Sequence, residues 1–269
     1  MKIISSKNKL IKIIRKDKNL GFVPTMRSIH SGHISLIKMS INQCDKTIVS
    51  IFVNKPQFNR KSDFKKYPRV LKKDIYKIKK LKIDLLYLPT TRQIYPKGEN
   101  KNIKINSFSK KLCGKYRPGH FEAVVDVIDR FIKIIRPKKI YFGEKDMQQL
   151  KIIDDFVKKN HTETKVISCK TIREKSGVAF SSRNYLLSGK EKIIASKIFK
   201  LLINKKQNLI KNKFSLKILK RMIYNLGVRK IDYIEVLDVN KLIKPFKKKI
   251  KYKIFIAYYL GSTRLIDNI

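Results

Sequence analysis

The sequence predicts an α/β fold, a doubly wound parallel sheet followed by a smaller α+β domain. Three observations predict it. Short β-branched runs alternate with amphipathic stretches of helical period through about the first two-thirds of the chain. After about residue 177 the order changes to two helices and then two strands. The chain has 269 residues and is 42% hydrophobic, which gives length for two cores and argues against disorder.

Each element has its own reason. Leu20 to Thr25 is a buried strand that runs into a loop. His33 to Asn42 is a helix with Ile34, Ile37 and Ile41 on one face. Lys46 to Val53 is a β-branched strand. A helix over Arg69 to Leu81 precedes a strand over Ile83 to Leu88. Phe121 to Arg136 is helical and stops before Pro137. Ile140 to Phe142 is a short strand, Lys145 to Lys159 a helix and Thr164 to Lys170 a strand. This β-α-β-α order predicts parallel strands with helices on both faces. Beyond it, Glu191 to Asn204 and Leu216 to Leu226 are helices, and Lys230 to Leu237 and Tyr252 to Leu260 are strands. The expected domains are residues 1–176 and 177–269.

Composition excludes several classes. No apolar run is long enough for a transmembrane helix, and the first residues carry no apolar secretory core. Cys44, Cys113 and Cys169 are odd in number and far apart, so no disulfide framework or CxxC metal site is expected. A cytoplasmic protein fits this pattern. The net charge of +45 alone would suggest a polyanion binder. However, the cations are 52 Lys against 13 Arg, spread along the chain with only short clusters such as Lys247-Lys248-Lys249. Nucleic-acid sites draw on Arg for bidentate contacts. With 41 Ile beside the lysines, the charge reads as A/T-rich codon bias, so no specific nucleic acid and no membrane partner is expected.

Five segments carry the chemistry. The first is Pro24-Thr25-Met26-Arg27-Ser28-Ile29-His30-Ser31-Gly32-His33, between a strand and a helix. Ligands bind at the carboxyl ends of strands in such sheets, and a helix N-terminus there favours phosphate. Gly32 allows close backbone approach, and two imidazoles can donate to phosphate oxygens. The same histidines suit zinc, but no third and fourth ligand lies nearby, so no metal ligand is assigned. The second is Gly143-Glu144-Lys145-Asp146, followed by Gln148 and Gln149, again at a strand end. Lys145 is a point charge for phosphate, and Asp146 can accept from ribose or help hold Mg²⁺; an ordinary acidic first turn is the alternative. The third is Phe180-Ser181-Ser182-Arg183-Asn184, either an anion clamp or a helix-capping serine loop. The fourth, Ser50 to Phe58, carries Asn54 and Gln57, and the fifth is Arg117-Pro118-Gly119-His120-Phe121. Both can also be plain loop chemistry.

In this order, and with Leu260-Gly261 and Arg264 to Asn268 near the end, the segments resemble the pantoate–β-alanine ligase family across essentially the whole chain. That family shares a His-x-Gly-His nucleotidyltransferase core with class I aminoacyl-tRNA synthetases. The resemblance implies a Rossmann-like domain and a smaller lid domain. It implies ATP and Mg²⁺, the substrates pantoate and β-alanine, and a homodimer. Pantoate would attack the α-phosphorus of ATP, giving pantoyl adenylate and pyrophosphate; the β-alanine amine would then release AMP. Met26, Arg27, Ser28, Ile29, His30, Ser31, Gly32 and His33 would line the ATP site, with both histidines on the phosphates and His33 as proton donor. Gln57 and Gln149 would hold pantoate. Gly143, Glu144, Lys145 and Asp146 would meet ribose and phosphate. Ile172 would contact adenine through its backbone, and Phe180, Ser181, Ser182 and Arg183 would form the clamp. Catalysis by positioning and positive charge from Lys145, Arg183, the histidines and a metal fits such chemistry.

The chain departs from the family at three places. Arg27 stands where Gly is usual, Asn54-Lys55-Pro56-Gln57 replaces Asn-Pro-x-Gln, and Glu122-Ala123 replaces Arg-Gly.

Overall fold

The β-branched run of residues 46–51 lies at the middle of a six-stranded parallel sheet. The computed structural model describes residues 1–59, 61–68, 70–211, 213–238 and 252–269. Arg69, the expected start of one helix, and the Lys247 to Lys249 cluster lie outside the described residues. The chain divides into two units, Met1–Lys170 and Thr171–Ile269.

In the first unit the elements are β1 (Lys2–Ile4), α1 (Lys7–Ile14), β2 (Leu20–Thr25), α2 (Ser31–Gln43), β3 (Lys46–Ile51) and α3 (Lys61–Lys66). They continue with α4 (Leu71–Lys79), β4 (Leu85–Tyr87), α5 (Thr91–Ile94), α6 (Leu112–Tyr116), α7 (His120–Ile135), β5 (Lys139–Gly143), α8 (Met147–Asn160) and β6 (Lys165–Cys169). The strand order is β1-β4-β3-β2-β5-β6. From β2 the chain steps outward to β3 and β4, then returns to place β5 on the other side of β2. The topological switch point therefore lies between β2 and β5, where ligands bind in open α/β sheets.

Alternation along the strands separates the two faces. On one face Val23, Val49, Leu86 and Tyr141 pack with Ile37 of α2 and Ile78 of α4. On the other, Phe131 of α7 meets the rings of Phe22, Phe52 and Tyr87, at centroid distances of 5.3, 6.0 and 6.3 Å. Truncating such a buried aromatic to Ala costs about 3–5 kcal/mol.

Two expectations need correction. Of Ile34, Ile37 and Ile41, only Ile37 is fully buried, and Ile41 is 36% exposed. The buried row of α2 is Leu36, Ile37 and Ser40, because α2 approaches β2 at Gly21. A Cβ at Gly21 would sit 2.1 Å from Ser40 Oγ, so small residues rather than isoleucines set this contact. The helix expected from Lys145 begins at Met147 instead, because Glu144–Asp146 form a short 3-10 turn.

In the second unit, β7 (Lys230–Asp238), β8 (Tyr252–Leu260) and β9 (Thr263–Asn268) form an antiparallel sheet in that order. Its apolar residues Ile234, Ile254, Ile256 and Leu265 pack with Ile198 and Leu202 of α9 (Gly189–Ile210) and Leu219 and Ile223 of α10 (Leu216–Asn225). Helix α9 opens on a capping box between Ser188 and Glu191. Among the described residues, no helix is long and apolar enough to cross a membrane.

Candidate active site

The site begins with a proline inside β2. Leu20 accepts from Lys138 on the β5 side, and Thr25 accepts from Phe52 on the β3 side. By alternation Pro24 faces β5, where the paired residues are Gly21 and Phe22 only. Its missing N–H thus falls where the ladder has already opened.

The chain then turns sharply. Arg27 and Ser28 have φ of 93° and 57°. The first value lies in the region that only glycine enters cheaply. Glycine at this place in the family has its physical reason here, and Arg27 occupies the strained conformation instead. Its Nε is buried without a hydrogen-bond partner among the described residues. Asp74, wholly buried on α4, holds the turn: its carboxylate accepts from the N–H groups of Ser28 and Ile29, both at 2.7 Å. Lys77, one turn further along α4, donates to the Ile29 carbonyl at 2.6 Å.

His30 is extended and stands at the N-cap of α2 without a side-chain cap bond, and no acidic residue occupies the first turn. The N–H of Ile34 reaches the His30 carbonyl, so the preceding N–H groups have no place in the helical ladder. This positive helix end favours an anion. The His30 and His33 rings lie 4.0 Å apart, tilted by 30°. His33 Nδ1 is buried with no hydrogen-bond partner among the described residues.

Burial drives both imidazoles toward the neutral form. It is the main cause of lowering His30 to about 2, aided by His33, Lys145 and Lys77. His33 falls to about 4, again mainly by burial; Asp146 opposes, while Lys145 and Lys77 assist. The expectation that the histidines add positive charge is therefore corrected: at pH 7 in the free protein they are neutral hydrogen-bond groups. The charge belongs to Lys145, Lys77 and the helix end. Lys145 lies 3.4 Å from Asp146, whose side chain is 46% exposed.

Gln57 is buried in a network. It donates to Met26 Sδ at 2.8 Å and accepts from Asn54 at 3.1 Å. Asn54 also donates to the Ala123 carbonyl and accepts from the Tyr95 hydroxyl at 2.7 Å. The Gln57 carbonyl meets Arg117 at 3.0 Å and His120 Nδ1 at 2.8 Å. A short 3-10 turn over Lys55–Gln57 accommodates Pro56 and keeps Gln57 facing Met26. The fourth segment thus meets both the first and the fifth. Gln148 spends its amide on Phe108, Lys111 and Cys113, whereas half-buried Gln149 has no side-chain hydrogen bond among the described residues. Glu144 accepts from the Ser168 hydroxyl at 2.9 Å.

In the second unit, Phe180 donates its N–H to the Ile172 carbonyl at 3.1 Å, closing a loop whose Arg173 and Ala179 pair. The Ser181 hydroxyl caps the turn through the Arg183 N–H. Asn184 is structural, donating to Glu174 and the Ala179 carbonyl at 3.0 Å. Arg173 forms a paired contact with Asp267 at 2.7 and 2.9 Å and lies over the Phe199 ring. The Asp267-Asn268 signature near the end therefore ties β9 to the start of this unit.

Asp74 and Lys77 escaped the reading of the sequence. Their one signal is that Asp74 is the sole acid between Asp63 and Asp84, on a helix otherwise rich in Lys.

The chain is similar to known proteins along nearly its whole length. A model of the pantoate-beta-alanine ligase family matches residues 2–269. A pantothenate synthetase of Sulfurihydrogenibium sp. (strain YO3AOP1) is 39% identical, with 97% of this chain and 95% of that one covered. One from Flavobacterium psychrophilum is 40% identical, with 95% and 93% covered. The crystal structure of pantothenate synthetase from Thermus thermophilus is similar at a TM-score of 0.90 and 29% identity, covering 100% of this chain and 99% of that one. A pantoate-beta-alanine ligase from Francisella tularensis, complexed with beta-gamma ATP and beta-alanine, is similar at 0.86 and 36% identity, with 100% and 97% covered.

Proposed function

The chain belongs to the pantoate–β-alanine ligase family, and from that premise we propose how its own residues perform the reaction. The reaction is the ATP-dependent condensation of pantoate with β-alanine. The observation that carries the assignment of roles is the stacked His30–His33 pair at the N-terminal end of α2, with Lys145 acting on both rings.

ATP lies with its phosphates at the first turn of α2. Met26 to His33 line it, and Gly32 lets the backbone come close. Lys145 supplies a fixed positive charge to oxygens that gain charge as the α-phosphorus is attacked. Gly143, Glu144 and Asp146 meet the ribose and phosphates. Ile172, through its backbone, meets adenine, and Phe180 to Arg183 contribute hydroxyl and guanidinium donors.

Pantoate is held by the amides of Gln57 and Gln149. Its carboxylate is already ionised at pH 7, so attack on phosphorus needs no strong base. The products of this step are pantoyl adenylate and pyrophosphate. The β-alanine amine then forms the amide bond as AMP leaves. Neutral His30 and His33 donate N–H bonds to phosphate oxygens. His33 gains the proton needed by a donor when the triphosphate's negative charge raises its proton affinity.

The residues suit Mg²⁺. Asp146 offers a half-exposed hard carboxylate, and Mg²⁺ characteristically takes one or two carboxylates together with phosphate oxygens. Asp146 would hold the ion together with phosphate oxygens of ATP. The chemistry it would supply is positive charge at the phosphate oxygens.

We also assign a homodimer and a cytoplasmic location, as the family resemblance implies; light scattering of the purified chain tests the first. Single-turnover kinetics test the site. Adenylate formation should fall by about 100-fold in Lys145→Met and in His33→Gln, on the scale of losing one transition-state donor. Wild-type rates in both folded variants would remove these roles.

A further inference from the structure

Asp74 and Lys77 lie outside every segment that carries the chemistry, yet both end on the turn that carries it. They are three residues apart, on one face of α4. Ile78 of the same helix is fully buried with Val23, Ile29 and Ile37, so α4 is seated firmly in the core. The Asp74 carboxylate takes two N–H groups and is wholly buried. Without it, the N–H groups of Ser28 and Ile29 would lose charged acceptors in a buried site. Arg27 at φ 93° would then have no reason to remain in its strained conformation.

We infer that Asp74 and Lys77 are positioning residues, a brace from α4 that holds the Arg27–Ser28 turn and so sets His30 and His33 at the start of α2. Arg27 carries a backbone strain at this turn that glycine would not, and the two hydrogen bonds that Asp74 accepts offset it. Lys77 has a second effect. Its ammonium stands among the charges acting on the pair, with Lys145 and Asp146 from the end of β5. This inference rests on the reading that His30 and His33 face the nucleotide.

The test uses the full chain and two kinds of readout. The first needs no substrate. Histidine Hε1 shifts should move toward free-imidazole values in Asp74→Asn and return in Arg27→Gly/Asp74→Asn. The midpoints of the His30 and His33 titrations should rise in Lys77→Met and stay in place in Lys77→Arg. The second readout is single-turnover adenylate formation. Asp74→Asn should raise the apparent KM for ATP and lower kcat/KM by about 10- to 100-fold, the range of one or two charged hydrogen bonds. Replacing Arg27 with Gly in that background should restore most of the loss. Folding is checked by circular dichroism; if Asp74→Asn does not fold, the Lys77 pair carries the test.

Unchanged histidine shifts and ATP saturation in folded Asp74→Asn would overturn the brace. So would a failure of Arg27→Gly to restore either, or equal titrations in Lys77→Met and wild type. Histidine shifts that respond as stated in a protein that makes no adenylate would instead refute the ligase reading and leave the brace standing.

Discussion

His30 and His33 stack with their ring centroids 4.0 Å apart, and burial keeps both uncharged at neutral pH. Two imidazolium rings at that distance would repel each other strongly, so the pair is stable as a neutral unit.

Stability should fall with acid through this pair. Their folded values, about 2 and about 4, lie below the unfolded value of 6.5. Between those limits the unfolded chain binds more protons, so unfolding free energy rises with pH. The stabilisation is complete above about pH 6.5 and is lost as pH falls, down to about 4 for His33 and about 2 for His30, at up to about 1.4 kcal/mol per pH unit for each ring. Urea titrations at pH 5 and 7 measure it. His33→Gln should remove about half of the difference, leaving the His30 share, and an unchanged difference would contradict neutral burial.

Arg27→Gly should stabilise the first unit. Relief of a left-handed φ in a non-glycine residue is worth about 1 kcal/mol. Thermal unfolding should shift upward by about 2–4 °C. A lower midpoint would mean that the Arg27 side chain contributes more than its backbone costs.

The two amides proposed to hold pantoate should separate in their effects. Gln57 is bonded to Asn54 and Met26, so Gln57→Ala should raise the KM for pantoate and also cost about 1–3 kcal/mol of stability. Gln149 has no internal side-chain partner among the described residues, so Gln149→Ala should raise the KM alone. Pantoate titrations beside denaturant curves distinguish the two. A stability loss in Gln149→Ala would count against the assignment.

Asp267→Ala should loosen the second unit. It leaves Arg173 without its paired carboxylate, a change of about 3 kcal/mol for a largely buried pair. Urea unfolding of the full chain should show an earlier transition, whereas an unchanged curve would make the contact incidental.

The sequence made the strand-to-helix junctions legible because their chemistry is local. Pro24 to His33 and Gly143 to Asp146 each carry a strand end, a glycine and charged or imidazole groups within a few residues. The alternating elements likewise placed β2, β3 and β5 closely, since β-branched runs carry a strong local preference. What stayed hidden depended on distance along the chain. Asp74 meets Ser28 and Ile29 across 46 and 45 positions, a contact that no periodicity reveals. The three residues of β1 are too few for a pattern, and they pair with β4 only after the sheet assembles. Ile41 fails as a core residue because Gly21 lets Ser40 approach first. The cost of Arg27 also waited for its φ, since the same residue in an ordinary conformation would carry no strain.

The most direct measurement is a single turnover with ATP, Mg²⁺ and pantoate, with and without β-alanine, read by mass spectrometry. Pantoyl adenylate and pyrophosphate are expected without the amine, and pantothenate with AMP when it is present. Folded protein that forms no adenylate under either condition would contradict the ligase reading.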